Sequence, residues 1–125
     1  MLFKMAEVKS AKQYDLEERT FSFAKEVIAF VNILPKTIAN LEIIKQVIRS
    51  SGSVGANYIE ANEALGKKDF AMRVKICRKE AKESIYWLRL IEARGEDAEK
   101  RKQSLISEAT ELMKIFGAIV GKTKG

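Results

Sequence analysis

The side chains of this chain that could carry chemistry fall into a few groups. Two acidic pairs sit at i, i+3 spacing, Glu60 with Glu63 and Glu80 with Glu83, where a general acid and a general base could be drawn from carboxylates. Arg49, Ser53, Asn57 and Glu60, with Gln46 before them, follow one side of a helix as a polar line. Arg49 and Glu60 lie too far apart to pair directly, but Ser53 and Asn57 could link them into a buried network that fixes helix register or subunit contacts. Cys77 is the single thiol, and a set of cations, Lys68, Lys75, Arg78, Lys79, Lys82 and Arg89, completes the inventory. Histidine is absent, which removes the commonest general base and metal ligand together. Ser–His and Cys–His catalysis and the usual zinc sites are excluded, and a ferritin-like metal centre would need a Glu-x-x-His that does not occur. The acidic pairs lie on segments with other reasons to be charged, so the sequence is read as a non-enzyme with no cofactor and no metal.

The elements that position these groups are helical. The chain has 125 residues, 46% of them hydrophobic and 32% charged, with a formal net charge of +6, which suits one ordered domain and leaves little room for a second. A lone Cys77 cannot form an intramolecular disulfide, no apolar run approaches membrane-spanning length, and the N-terminus has no signal-peptide core. Those features predict a cytoplasmic protein. Pro35, Gly66 and the Arg94-Gly95 step punctuate long segments rich in Ala, Glu, Lys and Leu, with no alternation of period two. Four helices are expected. The first runs from about Leu16, with Asp15 as N-cap, to Leu34, with Phe23, Val27, Phe30, Val31 and Leu34 on its apolar face. The second covers about Ile38 to Leu65, with Leu41, Ile44, Ile48, Ser51, Gly55, Ile59 and Asn62 in line. The third covers about Asp69 to Ala93, along a seam of Phe70, Val74, Cys77, Ala81, Ser84, Leu88 and Ile91. The fourth covers about Asp97 to Val120, with Leu105, Ala109, Leu112, Phe116 and Ile119 on one line and Ile106, Met113 and Val120 beside it. Short connections favour antiparallel neighbours, hence an all-α, up-down four-helix bundle over residues 15–121. Residues 1–14 are read as a flexible arm and 122–125 as a tail.

Charge is not spread evenly over these helices. Residues 66–94 hold nine cationic and four acidic side chains, so most of the net charge lies on the third helix. At about 100° per residue, the six cations named above share one face beside the apolar seam. Such a stripe is an electrostatic footprint for phosphate backbones, the plain alternative being a solvated helix face. No aromatic residue is read as interleaving with these cations, so binding is expected to follow shape and charge, not base sequence. Met72, Ile76, Trp87 and Leu90 form a second apolar line on the same helix. A line of this composition is what a subunit interface needs, the alternative being a wide core face. In the second helix, Gly52 and Gly55 each cost about 1 kcal/mol relative to Ala, and close approach of a neighbouring helix is the expected compensation. A phosphate loop is disfavoured because the Gly-Lys-Ser/Thr ending is missing. Cys77, on the core seam, is read as a buried structural thiol.

Arg19-Thr20, Phe23-Ala24, Leu34-Pro35-Lys36, Arg49-Ser50, Ser53-Val54-Gly55-Ala56-Asn57, Glu60-Ala61, Lys68-Asp69-Phe70, Lys79-Glu80-Ala81, Glu83 and Tyr86-Trp87-Leu88 together carry a family likeness. Over roughly residues 15–120 the chain resembles the bacterial four-helix bundle proteins encoded in intervening sequences of 23S ribosomal RNA genes. The accessory proteins of diversity-generating retroelements look like relatives. The resemblance implies a small up-down bundle that forms a homo-oligomer, commonly a pentameric ring, with a basic surface suited to nucleic acid. For the retroelement relatives it also implies a reverse transcriptase partner. It supplies no catalytic residues, and Tyr58 stands where a smaller aliphatic residue is common. The resulting expectation is an oligomer that binds structured RNA or another nucleic acid through the third helix. The rival is an adaptor whose basic face docks an acidic protein such as a reverse transcriptase.

Overall fold

The computed structural model describes the backbone of residues 2–124 and the side chains of residues 16–123. Four helices, α1 (Leu2–Val31), α2 (Ile38–Asn62), α3 (Lys67–Leu90) and α4 (Glu96–Lys124), account for the ordered backbone, with no strand among the described residues. Each helix packs on two others in the cyclic order α1, α2, α3, α4, with α1 and α4 in thinnest contact.

The helix boundaries differ from expectation at several ends. α1 begins at Leu2, so Asp15 lies inside it and is not its N-cap. The physical reason is that residues 2–16 contain neither Gly nor Pro and are rich in helix formers. The arm expected over 1–14 falls on side chains outside the described residues. α2 stops at Asn62, three residues before Leu65, and Gly66 serves as the N-cap of α3. α4 runs past Val120 to Lys124, through most of the expected tail.

Side chains close the open ends. Thr37 caps α2, accepting from the Asn40 amide at 3.0 Å. Lys36 Nζ donates to the carbonyls of Val31 and Leu34, and Lys102 Nζ to those of Arg89 and Ile91, so two lysines satisfy the last turns of α1 and α3. Buried Asn40 donates to the carbonyls of Pro35 and Glu92 and accepts from the Glu92 amide at 3.0 Å, tying the start of α2 to the end of α3. Gly95, with φ of 95°, makes the turn into α4 in the left-handed region where Gly is favoured.

The core faces of α1 and α3 match their sequence lines closely: Phe23, Val27, Phe30, Val31, Leu34, Val74, Cys77, Ala81, Ser84, Leu88 and Ile91 are all buried. α4 contributes Leu105, Ala109, Leu112, Phe116 and Val120, with Ile119 half-buried. α2 is rotated from its expected face. Its buried line is Asn40, Val47, Ser50, Ser51, Val54, Tyr58 and Ala61, whereas Leu41, Ile48 and Ile59 are exposed. Tyr58 is 2% exposed and packs on Phe116 with ring centroids 5.7 Å apart, and burial pushes its phenol up to about 12. The two glycines of α2 also separate. A Cβ on Gly55 would meet Thr20 Oγ1 at 2.9 Å, the close approach expected, but Gly52 has nothing within 4 Å.

Candidate nucleic-acid interface

α3 presents three faces, and its heptad-like seam decides which residues lie on each. The buried face carries Val74, Cys77, Ala81, Ser84 and Leu88. Burial pushes the Cys77 thiol up to about 12, so the thiolate needed for nucleophilic or metal chemistry is disfavoured there.

The face toward α2 is a matched set of charges and hydrogen bonds. Arg49 donates to Glu80 at 3.2 Å and also to Glu83. Glu80 is only 7% exposed, so its carboxylate depends on that arginine. Trp87 Nε1 donates to the same Glu83 at 3.2 Å. The Trp87 bond chiefly, and then Arg49, hold the Glu83 carboxyl below its usual range against the opposing effect of burial. Burial works against the Arg49 charge, but the two carboxylates outweigh it and raise its pKa. Ser50 and Ser84 share a hydroxyl bond of 2.8 Å one turn away, with Ser84 also donating to the Glu80 carbonyl.

The polar line read along α2 therefore does not run as one buried network from Arg49 to Glu60. Arg49 reaches across to α3, while Asn57 donates to the Ser53 carbonyl and accepts from Arg73 of α3 at 3.4 Å. Glu60 is exposed. Likewise the Glu80–Glu83 pair is engaged by an arginine, not poised as an acid and a base. Among the described residues no group of three His, Cys, Asp or Glu side chains is placed to hold a metal ion.

The remaining face of α3 looks to solvent and α4. Lys68, Lys75, Arg78, Lys79, Lys82 and Arg89 are all exposed on it. None of the six makes an ion pair among the described residues. Lys79 acts on Glu83 only through space. The Arg78 side chain lies over α4, its Cδ 3.6 Å from where a Cβ on Gly117 would stand. At the start of α3, Lys67, Lys68 and Lys75 rim a groove of about 300 Å³ floored by Ala71 and Val120. Lys67, outside the stripe expected from the sequence, is a further cation here; its position four residues before Ala71 is the signal that could have found it.

One expectation about this face is overturned. An aromatic residue does stand among the cations: Tyr86 is 56% exposed, four residues after Lys82 and three before Arg89, which places it on their side of the helix. That spacing is the sequence signal that could have found it, although the residue is read there only as part of the Tyr86-Trp87-Leu88 string.

Of the expected subunit contacts, Met72 and Leu90 are about half exposed, while Ile76 and Trp87 are half-buried, with Trp87 packed against the core. Phe21 and Ile28 of α1 and Leu41, Ile48 and Ile59 of α2 are exposed as well. No helix among the described residues is long and apolar enough to cross a membrane.

Comparison with known proteins is consistent with this architecture. The sequence model of the family described as 23S rRNA-intervening sequence protein matches residues 12–118. Among solved structures, a protein of unknown function from the S23 ribosomal protein family of Bacteroides thetaiotaomicron superposes with a TM-score of 0.76 at 28% identity. The match covers 88% of this chain and 98% of that one. No curated protein matches the chain.

Proposed function

This chain belongs to the 23S rRNA-intervening sequence protein family, and from that premise we propose that it is a non-enzymatic protein that binds structured RNA through the exposed cations of α3. The observation that supports this most is the set of six exposed α3 cations on one face without an ion-pair partner among the described residues. On α1 and α2, by contrast, Arg19 binds Glu108 through two nitrogens, and Arg49 binds Glu80 and Glu83. Phosphates arriving at α3 would release counterions without breaking any protein contact, which makes association favourable and salt-sensitive. Along 22 residues of helix from Lys68 to Arg89, the stripe is about 30 Å long, enough to follow one groove edge of an RNA helix.

In the same proposal the protein acts as a homo-oligomer, with exposed Met72 and Leu90 contributing to subunit contacts beside Ile76 and Trp87. Repetition of the stripe by symmetry would multiply phosphate binding without new chemistry. A native mass several times 14.1 kDa is the expected result, measured by light scattering at micromolar concentration. A clean monomer would remove the interface role of Met72, Ile76, Trp87 and Leu90.

The test of RNA binding is fluorescence anisotropy with a structured ribosomal RNA fragment at two salt concentrations. Wild type is expected to bind tightly at low salt and to weaken steeply at high salt. Absence of binding at low salt would reject the RNA reading. The rival adaptor role is favoured by the apolar Met72 and Leu90 flanking the stripe, and salt-sensitive capture of an acidic protein partner, such as a reverse transcriptase, would then lead.

A further inference from the structure

Tyr86 is the one aromatic side chain that stands out on the cationic face of α3. The residue is 56% exposed, so burial in this chain does not explain its presence. It is not a loose side chain either. The ring meets Trp87 nearly edge-on, with centroids 5.0 Å apart and planes 76° apart. Trp87 is itself fixed by packing against the core and by its Nε1 bond to Glu83, which Arg49 holds in turn. The tyrosine ring is therefore braced from behind by a residue anchored in the α2–α3 seam.

Around it, Lys79, Lys82 and Arg89 lie seven and four residues before it and three after it, on the same side of the helix. All three are exposed and make no ion pair among the described residues. A braced, exposed aromatic ring among cations is the arrangement that holds an unpaired base: the ring takes the base face, and the cations take the neighbouring phosphates.

We propose that Tyr86 is a stacking platform for an unpaired nucleotide of the bound RNA, with Lys79, Lys82 and Arg89 holding the flanking phosphates. This rests on the RNA-binding reading and sharpens it, from charge tracking along a duplex to preference for RNA with a bulged or looped-out base. Every base has a stackable face, so the preference is for an unpaired nucleotide and not for a particular base.

The test compares two RNA hairpins that differ only by a single bulged 2-aminopurine, which fluoresces less when stacked. Wild type is expected to bind the bulged hairpin roughly tenfold more tightly than the paired one, the scale of one base–aromatic stack, and to quench its fluorescence. Tyr86→Ala is expected to abolish both the preference and the quenching while leaving affinity for the paired hairpin within about twofold. Tyr86→Phe, which keeps the ring and loses the hydroxyl, is expected to retain both. Lys68→Ala/Lys75→Ala, at the far end of the stripe, is expected to weaken both hairpins alike and to preserve their ratio. Equal affinity of wild type for the two hairpins, or a preference that survives Tyr86→Ala, would overturn the proposal while leaving RNA binding intact. Binding of neither hairpin at low salt would instead reject the RNA reading, and the platform with it.

Discussion

Where α3 meets α2, charge is matched across the seam, whereas on the side of α3 that looks to solvent and α4 it is left unmatched. Arg49, Glu80, Glu83 and Trp87 form one connected set on the first side. On the second, six cations stand without an ion pair among the described residues. Charges that hold helices together are paired in the folded chain. Charges that await a partner cost folding little when exposed, and they keep their whole interaction for that partner. One helix can therefore serve both ends, provided the two sets lie on different faces.

Removing charges from the two sides should affect stability unequally. The largest stability effect is expected from Arg49→Ala, which leaves the nearly buried Glu80 carboxylate without its arginine: destabilisation by about 1–3 kcal/mol in denaturant unfolding. Glu80→Gln should cost less, because the released Arg49 side chain is already 50% exposed. If Arg49→Ala unfolds like wild type, the seam is not held by its charges.

The glycines of α2 sharpen the same contrast between packed and open surface. Gly55→Ala, whose new methyl would press on Thr20, should destabilise by about 1–2 kcal/mol. Gly52→Ala, facing open space, should stabilise by up to about 1 kcal/mol. Thermal melts of the two variants check this, and shifts of the same sign would contradict the close approach at Gly55.

Acid should weaken the α2–α3 seam. The Glu83 carboxyl is held below its ordinary pKa in the folded chain, so the unfolded chain binds its proton more readily. Its contribution is fully present above the ordinary carboxylate range and is lost as pH falls through the lower folded value. Glu83→Gln should accordingly flatten the acid limb of a stability–pH curve; an unchanged limb would show that Glu83 is not part of it. The smallest stability effect is expected from Lys75→Ala/Lys79→Ala/Lys82→Ala, within about 0.5 kcal/mol of wild type, because these exposed lysines make no ion pair among the described residues.

Much of this fold is legible in the sequence because three helices bury their most apolar line. α2 does not. Leu41, Ile48 and Ile59 of its expected line yield the core to a line that includes Asn40, Val47, Ser50 and Tyr58. Periodicity counts side-chain oiliness, but the seam with α3 is set by fit and hydrogen bonding, as in the Ser50–Ser84 contact and the Asn40 bonds to Glu92. Those partners are 34 and 52 residues away in sequence and leave no local trace. The cationic stripe is legible because all its members share one helix and a spacing of three and four. Arg49 is recognisable from the sequence as structural, but its carboxylates lie on another helix, and its own offers none at the right spacing. The spacing of the stripe puts Tyr86, four residues after Lys82 and three before Arg89, on that face as well; what the sequence does not give is its exposure and its edge-on contact with Trp87.

The most direct measurement of the central claim is the slope of log affinity against log salt for structured RNA, in wild type and in Lys75→Ala/Lys79→Ala/Lys82→Ala. The account predicts a steep wild-type slope that becomes shallower by roughly two units in the variant, about 0.7–0.9 for each phosphate no longer neutralised, with the fold unchanged. Identical slopes in the two proteins would contradict it and remove RNA phosphates from this face of α3.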